Sequence, residues 1–187
     1  MCGMKKTSRK ASQLAKYMRS HQFIRFTRRF EQGSVRGYVL DVGQRFFLLA
    51  RQSDVRFDGF SCFRVGDVNG LKPDPYAAFA EAALKKLREP IPKKPNVSVS
   101  TIEELLLSAN RVFPLLTIHR ETVDPGAGWI GKIKEVRQGQ VSLLEIGPDA
   151  KWDSKPTAYS LNEITSVEFG GKYERALHLV GGSPPAR

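Results

Sequence analysis

The sequence predicts a mainly β protein with short helices (α+β), arranged as two small five-stranded β-barrels in tandem, each with flanking helices. Three observations carry this expectation. Short runs rich in Val, Ile and Phe recur between turn residues, which is the signature of strands. A set of features in the first half returns in the same order in the second, shifted by roughly 92–97 residues. Between the halves lies Glu89-Pro90-Ile91-Pro92-Lys93-Lys94-Pro95, which cannot hold a helix and has a linker's composition.

The matched features follow the chain. Helical patterns over Ala11 to Met18 and Ile102 to Ala109 come first. The second is the better marked, because Thr101 is a good N-cap and Glu103 and Glu104 occupy the first turn. Phe23-Ile24-Arg25-Phe26 then corresponds to Leu115-Leu116-Thr117-Ile118. Next, Gly37-Tyr38-Val39-Leu40-Asp41-Val42 lies against Gly131-Lys132-Ile133-Lys134-Glu135-Val136, both reading Gly-x-apolar-x-x-apolar. The i to i+3 apolar step predicts a bulge or bend partway along this strand. Phe46-Phe47-Leu48-Leu49 matches Val141-Ser142-Leu143-Leu144, and Asp67-Val68-Asn69-Gly70-Leu71 matches Glu163-Ile164-Thr165-Ser166-Val167. Aromatic-led helical stretches, Tyr76 to Leu87 and Tyr173 to Val180, end each half. Turns are expected at Gln32-Gly33, Gly43-Gln44, Asp58-Gly59 and Gln138-Gly139.

These divisions imply a basic tail over 1–10, a helix and first barrel over 11–88, and a linker over 89–100. A helix and second barrel over 101–182 and a tail over 183–187 complete the chain. The expected core comprises Val39, Val42, Leu49, Phe63 and Val68, with Ile133, Val136, Leu143, Ile164 and Val167 in the second half.

Helix followed by five strands, with the glycine signature on the second, resembles the Sm-like fold over roughly 45–50 residues of each half. The family's second signature, apolar-Arg-Gly near the end of strand four, is similar to Phe63-Arg64-Val65-Gly66, and Tyr159-Ser160-Leu161 stands there in the second half. In the family an Asp and then an Asn follow the first signature and help build a nucleotide-binding loop. Here those positions hold Gly43 and Phe47, then Arg137 and Val141, so the resemblance implies the barrel without that pocket. Other small barrels of the SH3-like type fit nearly the same string, and fold alone does not fix function.

Charge points to a partner. The chain carries a net charge of +11, and residues 1–30 hold Lys5, Lys6, Arg9, Lys10, Lys16, Arg19, Arg25, Arg28 and Arg29 with no acid. Residues from 96 onward are close to neutral. Such asymmetry suggests an acidic partner. Phe23 to Phe30 alternates aromatic and basic residues, the types that stack on bases and pair with phosphates. The expected function is therefore nucleic-acid binding, RNA in preference to DNA, through Lys10, Lys16, Arg25, Arg28, Arg29, Arg36 and Arg64. A protein-interaction or regulatory adaptor is the alternative.

No catalytic centre is expected. His119 and Glu121 share a strand face, but a cross-strand structural pair or a solvated strand end explains them better than acid–base chemistry. No Ser or Cys nucleophile sits in a recognisable elbow. Cys2, Cys62, His21, His119 and His178 have no zinc-ligand spacing, and no cofactor is expected. Trp152, between Asp149 and Pro156, is expected to plug a barrel end rather than stand exposed as a binding anchor. No run has the roughly 18 apolar residues of a membrane span, and Met1-Cys2-Gly3-Met4-Lys5-Lys6 leads into no secretory h-region. A cytoplasmic location is the expectation. Oligomerisation through the edge strands of the barrels is left open.

Overall fold

The first helix opens at Ser8, whose hydroxyl accepts a hydrogen bond from the Ala11 amide. In this computed structural model, which describes residues 8–185, α1 then runs Arg9–Arg19. Lys5 and Lys6, with the rest of the expected tail before Ser8, lie outside the described residues, as do 186–187 at the other end. Five strands follow: β1 (Phe23–Thr27), β2 (Ser34–Val42), β3 (Phe46–Ser53), β4 (Arg56–Arg64) and β5 (Asn69–Pro73). Helix α2 spans Ala77–Lys86. Thr101 then repeats the Ser8 device, its side chain accepting from the Glu104 amide at the start of α3 (Ile102–Val112). After it come β6 (Leu116–His119), β7 (Gly128–Arg137), β8 (Gln140–Glu145), β9 (Thr157–Ser160), β10 (Ser166–Phe169) and α4 (Lys172–Gly181).

The strands form one open antiparallel sheet in the order β5-β1-β2-β3-β4-β10-β6-β7-β8-β9. Two separate closed barrels are therefore not what the chain forms. Neither half closes on itself, because β4 pairs with β10 and not with β5: Phe60 faces Phe169, Ser61 Glu168, Cys62 Val167 and Phe63 Ser166. Cys62, Phe63, Val167 and Phe169 are buried. Edges made of such residues leave backbone donors and acceptors without water, and pairing the two edges satisfies them. Within each half the strands nevertheless succeed one another alike, fifth, first, second, third, fourth.

The glycine signature has a steric cause. A Cβ on Gly37 would lie 2.1 Å from the Ala50 carbonyl oxygen, and one on Gly131 would lie 2.1 Å from that of Leu144. In both cases the obstructing residue precedes the glycine's register partner, Arg51 or Glu145. Just beyond, the register slips between Val39 and Asp41 against β3 and between Ile133 and Glu135 against β8. The bulge expected from the apolar step is present on both strands. Val39 and Ile133 are buried, as are Leu49, Phe63, Val68, Leu143, Ile164 and Val167. Val42 and Val136, expected in the core, lie past the bulges and are only half-buried.

Alternation on β1 divides the first half's core. Ile24 and Phe26 pack with Val35, Leu49 and Phe63 beneath Ala11 and Leu14 of α1. Phe23, on the other face, packs with Tyr38, Ala50 and Phe57 beneath Ala80 and Leu84 of α2. A larger cluster crosses the junction, joining Phe46, Leu48 and Cys62 to Leu105, Ile118, Ile133, Val167 and Phe169. Val97 and Val99 belong to it, so the end of the expected 89–100 linker is core, drawn in by its two apolar side chains. Burial pushes the Cys62 thiol well above its usual range, which leaves it inert.

Asp58-Gly59 does not form a turn. The chain reverses at Asp54 and Val55, both at positive φ (47° and 59°), and Gly59 lies inside β4. There its φ of 68° admits the backbone of Gly170 and Gly171, which leaves no room for a Cβ. Trp152 is half-buried against the Leu115, Ile146 and Leu177 cluster, and its indole donates to the Gly181 carbonyl at 3.1 Å. The outer edges differ from the joined ones. Strand β5 carries Gly70, Lys72 and Pro73, and β9 has only four residues, devices that discourage further strand pairing. Among the described residues, no helix is long and apolar enough to cross a membrane.

Candidate nucleic-acid interface

A concentration of like charge on the sheet is set by strand register. Arg25 on β1 sits directly opposite Arg36 on β2 and directly opposite Lys72 on β5. Directly opposed residues have Cβ atoms about 4.5–5.5 Å apart, and like charges so placed repel. Asp74 compensates Arg36, its Oδ2 lying 3.0 Å from Arg36 Nε, and Glu81 reaches the same face, accepting from the Tyr38 hydroxyl at 3.3 Å. The row shares its face with Phe23 and Tyr38, on the side of the sheet that α2 covers.

The other cations expected at the site lie elsewhere. Lys10 and Lys16 are on α1, across the sheet from the row, and Lys10 Nζ donates to the Gly66 carbonyl at 3.1 Å. Arg29 is exposed and lies 4.6 Å from the Phe30 ring centroid. Arg64 is half-buried and donates to the Asn162 carbonyl across the junction. Burial, then repulsion from Arg45, lowers its guanidinium below the usual value. Of the seven, Arg25 and Arg36 come together on the sheet face. Lys72, the third member, follows Gly70-Leu71 in an unremarkable stretch; alternation places it on a strand face but cannot name its partner strand.

Arg28 has a structural role. Its side chain is fully buried, with Nη1 3.0 Å from Glu31 Oε1 and Nη2 2.5 Å from Glu121 Oε2. The guanidinium also lies 4.5 Å from the Phe63 ring centroid. Its charge is spent on tying the β1–β2 connection to the β6–β7 connection, leaving none for a phosphate.

Glu121 is thus engaged by Arg28, and His119 pairs across strands with a different acid. Its Nε2 lies 3.6 Å from Glu168 Oε2, a contact of charges rather than a hydrogen bond. Arg51 and the Ser61 hydroxyl hold the other oxygen, Glu168 Oε1, at 2.9 and 3.2 Å. Burial pushes the Glu168 carboxyl up, but His119, Arg51 and Ser61 outweigh it and hold it at about 2. Burial likewise pushes His119 down, and Glu168, Glu121 and the Ala127 carbonyl more than reverse this. The depressed acid contributes stability above its ordinary value of 4.5, and that contribution is lost as pH falls toward 2. The raised imidazole contributes below its ordinary 6.5, and that is lost as pH rises through its folded value. The pair therefore stabilises most between about pH 4.5 and 6.5. Glu168→Gln is expected to cost on the order of 2 kcal/mol in that window and less on either side. Urea midpoints measured across the range check this, and a pH-independent difference would refute it.

Among the described residues, no group of three or more His, Cys, Asp or Glu side chains is placed to hold a metal ion. Compared with known proteins, the chain matches no family model, no curated protein and no solved structure.

Proposed function

We propose that this is a non-enzymatic nucleic-acid-binding protein, with RNA the preferred ligand, built from two Sm-like small-barrel units joined edge to edge. The observation that carries the functional reading is the row Lys72–Arg25–Arg36. Three opposed cations, of which Arg36 alone is paired with an acid, are held at an electrostatic cost that a bound polyanion would relieve. The architectural reading is supported by the like strand order of the halves, the equivalent crowding at Gly37 and Gly131, and the paired bulges. Phe47 stands where the Sm-like family carries its loop Asn and is buried, which favours a binding surface away from the family's nucleotide loop. Exposed Leu179 and Val180 on α4 favour the second reading, a protein-interaction adaptor.

Neutralising three phosphates of a single strand gives a log–log salt slope near −2. Fluorescence anisotropy with single-stranded RNA and DNA at several salt concentrations should recover it. Changing Arg25 and Lys72 together to Glu should weaken binding and flatten the slope, whereas changing Lys132 and Lys134 should do less. Absence of binding to either nucleic acid at low salt would end this reading and leave the adaptor.

A further inference from the structure

Beside the cationic row lies a groove of about 390 Å3, bounded by α2 and the Asp54–Val55 turn and lined in part by Phe23, Arg36, Gln52, Tyr76 and Phe79. Its two outer aromatics are unusually bare, Tyr76 being 65% and Phe79 67% exposed. They stand three residues apart at the start of α2, on neighbouring positions of one helix side. Asp74 locks that start in place, its Oδ1 accepting from the Tyr76 amide at 2.7 Å while Oδ2 takes Arg36 Nε. Asp74, one of two acids lining the groove, is thereby paired, and the other, Asp54, is exposed on the turn at its rim. Opposite Arg36 in register is Gln52, whose side-chain amide nitrogen is buried and has no hydrogen-bond partner. Val55, on the rim, holds a φ of 59°, a strained conformation for a β-branched residue of the kind that collects at functional sites.

We propose that this groove is a base-stacking site for single-stranded nucleic acid. Phosphates lie along Lys72, Arg25 and Arg36, while a base leaves the strand, stacks on Tyr76 or Phe79 and accepts a hydrogen bond from the Gln52 amide. Charge complementarity selects this occupant. An apolar peptide satisfies the rings but leaves the cationic row and the amide unanswered, whereas every nucleotide brings a phosphate, a π-face and ring acceptors together. The inference rests on the nucleic-acid reading above and assigns it a second, uncharged component.

The test uses the full chain and labelled single-stranded oligonucleotides. Tyr76→Ala with Phe79→Ala should weaken binding about 5- to 150-fold, the range for losing one stacked base. The salt slope should stay unchanged, because no charge is lost, and Tyr76→Phe with Phe79→Tyr should restore affinity. Phe79→Trp should report the base directly through fluorescence quenching. Unchanged affinity in the double Ala variant, while Arg25→Glu with Lys72→Glu abolishes binding, would overturn the stacking site and leave the electrostatic reading standing. Equal affinity for duplex and single strand would also overturn it, since paired bases cannot enter the groove. Self-association that sedimentation shows to disappear in the double Ala variant would assign the face to a second copy instead. Failure of the wild-type chain to bind any nucleic acid at low salt would sink both proposals.

Discussion

Gly131→Ala and Gly37→Ala are each expected to destabilise the protein by about 3–5 kcal/mol, lowering the melting temperature by roughly 10 °C. Overpacking in a core ordinarily costs about 1–3 kcal/mol because side chains can shift. Here the obstruction is backbone. A methyl group at Gly131 meets the Leu144 carbonyl oxygen at 2.1 Å and the Leu144 carbonyl carbon at 2.8 Å, so β7 and β8 must separate. At Gly37 the Ala50 carbonyl oxygen stands at the same 2.1 Å, and Leu49 is crowded as well. Separation breaks ladder hydrogen bonds beside the bulge and uncovers Leu143 or Leu49. Gly66→Ala is the control: nothing lies within 4 Å of its Cβ position, and no measurable change is expected. Thermal and urea unfolding followed by circular dichroism would decide the matter. A loss below about 1 kcal/mol at Gly131 would mean that the two strands can part without cost.

The second large effect is expected at the junction. Glu121→Ala removes the main partner of a fully buried guanidinium and should cost about 3–5 kcal/mol, because Arg28 is left charged with Glu31 alone. Arg28→Met should cost much less, since the methionine packs on Phe63 and Phe30, where the guanidinium now lies, and Glu121 retains some access to water. This asymmetry separates a structural arginine from a ligand-binding one. If Arg28 contacted phosphate, Arg28→Met would weaken nucleic-acid binding while Glu121→Ala would strengthen it. Equilibrium unfolding of both variants, with anisotropy on the same samples, reads both quantities.

Much of this architecture is local chemistry and was legible in the residues. Thr101 marks a helix start because its hydroxyl satisfies the amide three residues on. Gly37 and Gly131, with apolar residues two and five positions later, encode a crowded strand that bulges at once, and both strands do so. Gln138-Gly139 makes the tight hairpin expected of it, both residues lying at positive φ. Asp58-Gly59 carries the same kind of signal with a different cause. Gly59 is required by the approach of Gly170 and Gly171, more than a hundred residues away, and no local reading contains that contact.

The candidate site divides the same way. A basic first half, rich in aromatics beside arginine, is a property of the chain itself. Which cations act together is a property of register, a long-range pairing that places Lys72 against Arg25 and sends Arg28 to Glu121 across 93 positions of sequence. Tyr76 leads a helical stretch in the sequence, yet Ala80 and Leu84 make its buried face and leave Tyr76 and Phe79 in water. The number, type and bending of the strands follow from the chain's own residues, because periodicity, caps and glycines act over a few positions. Tertiary structure alone decided that β4 meets β10, since two buried apolar edges find their backbone partners only in each other. By the same long-range pairing it decided which charges are neutralised and which stay free.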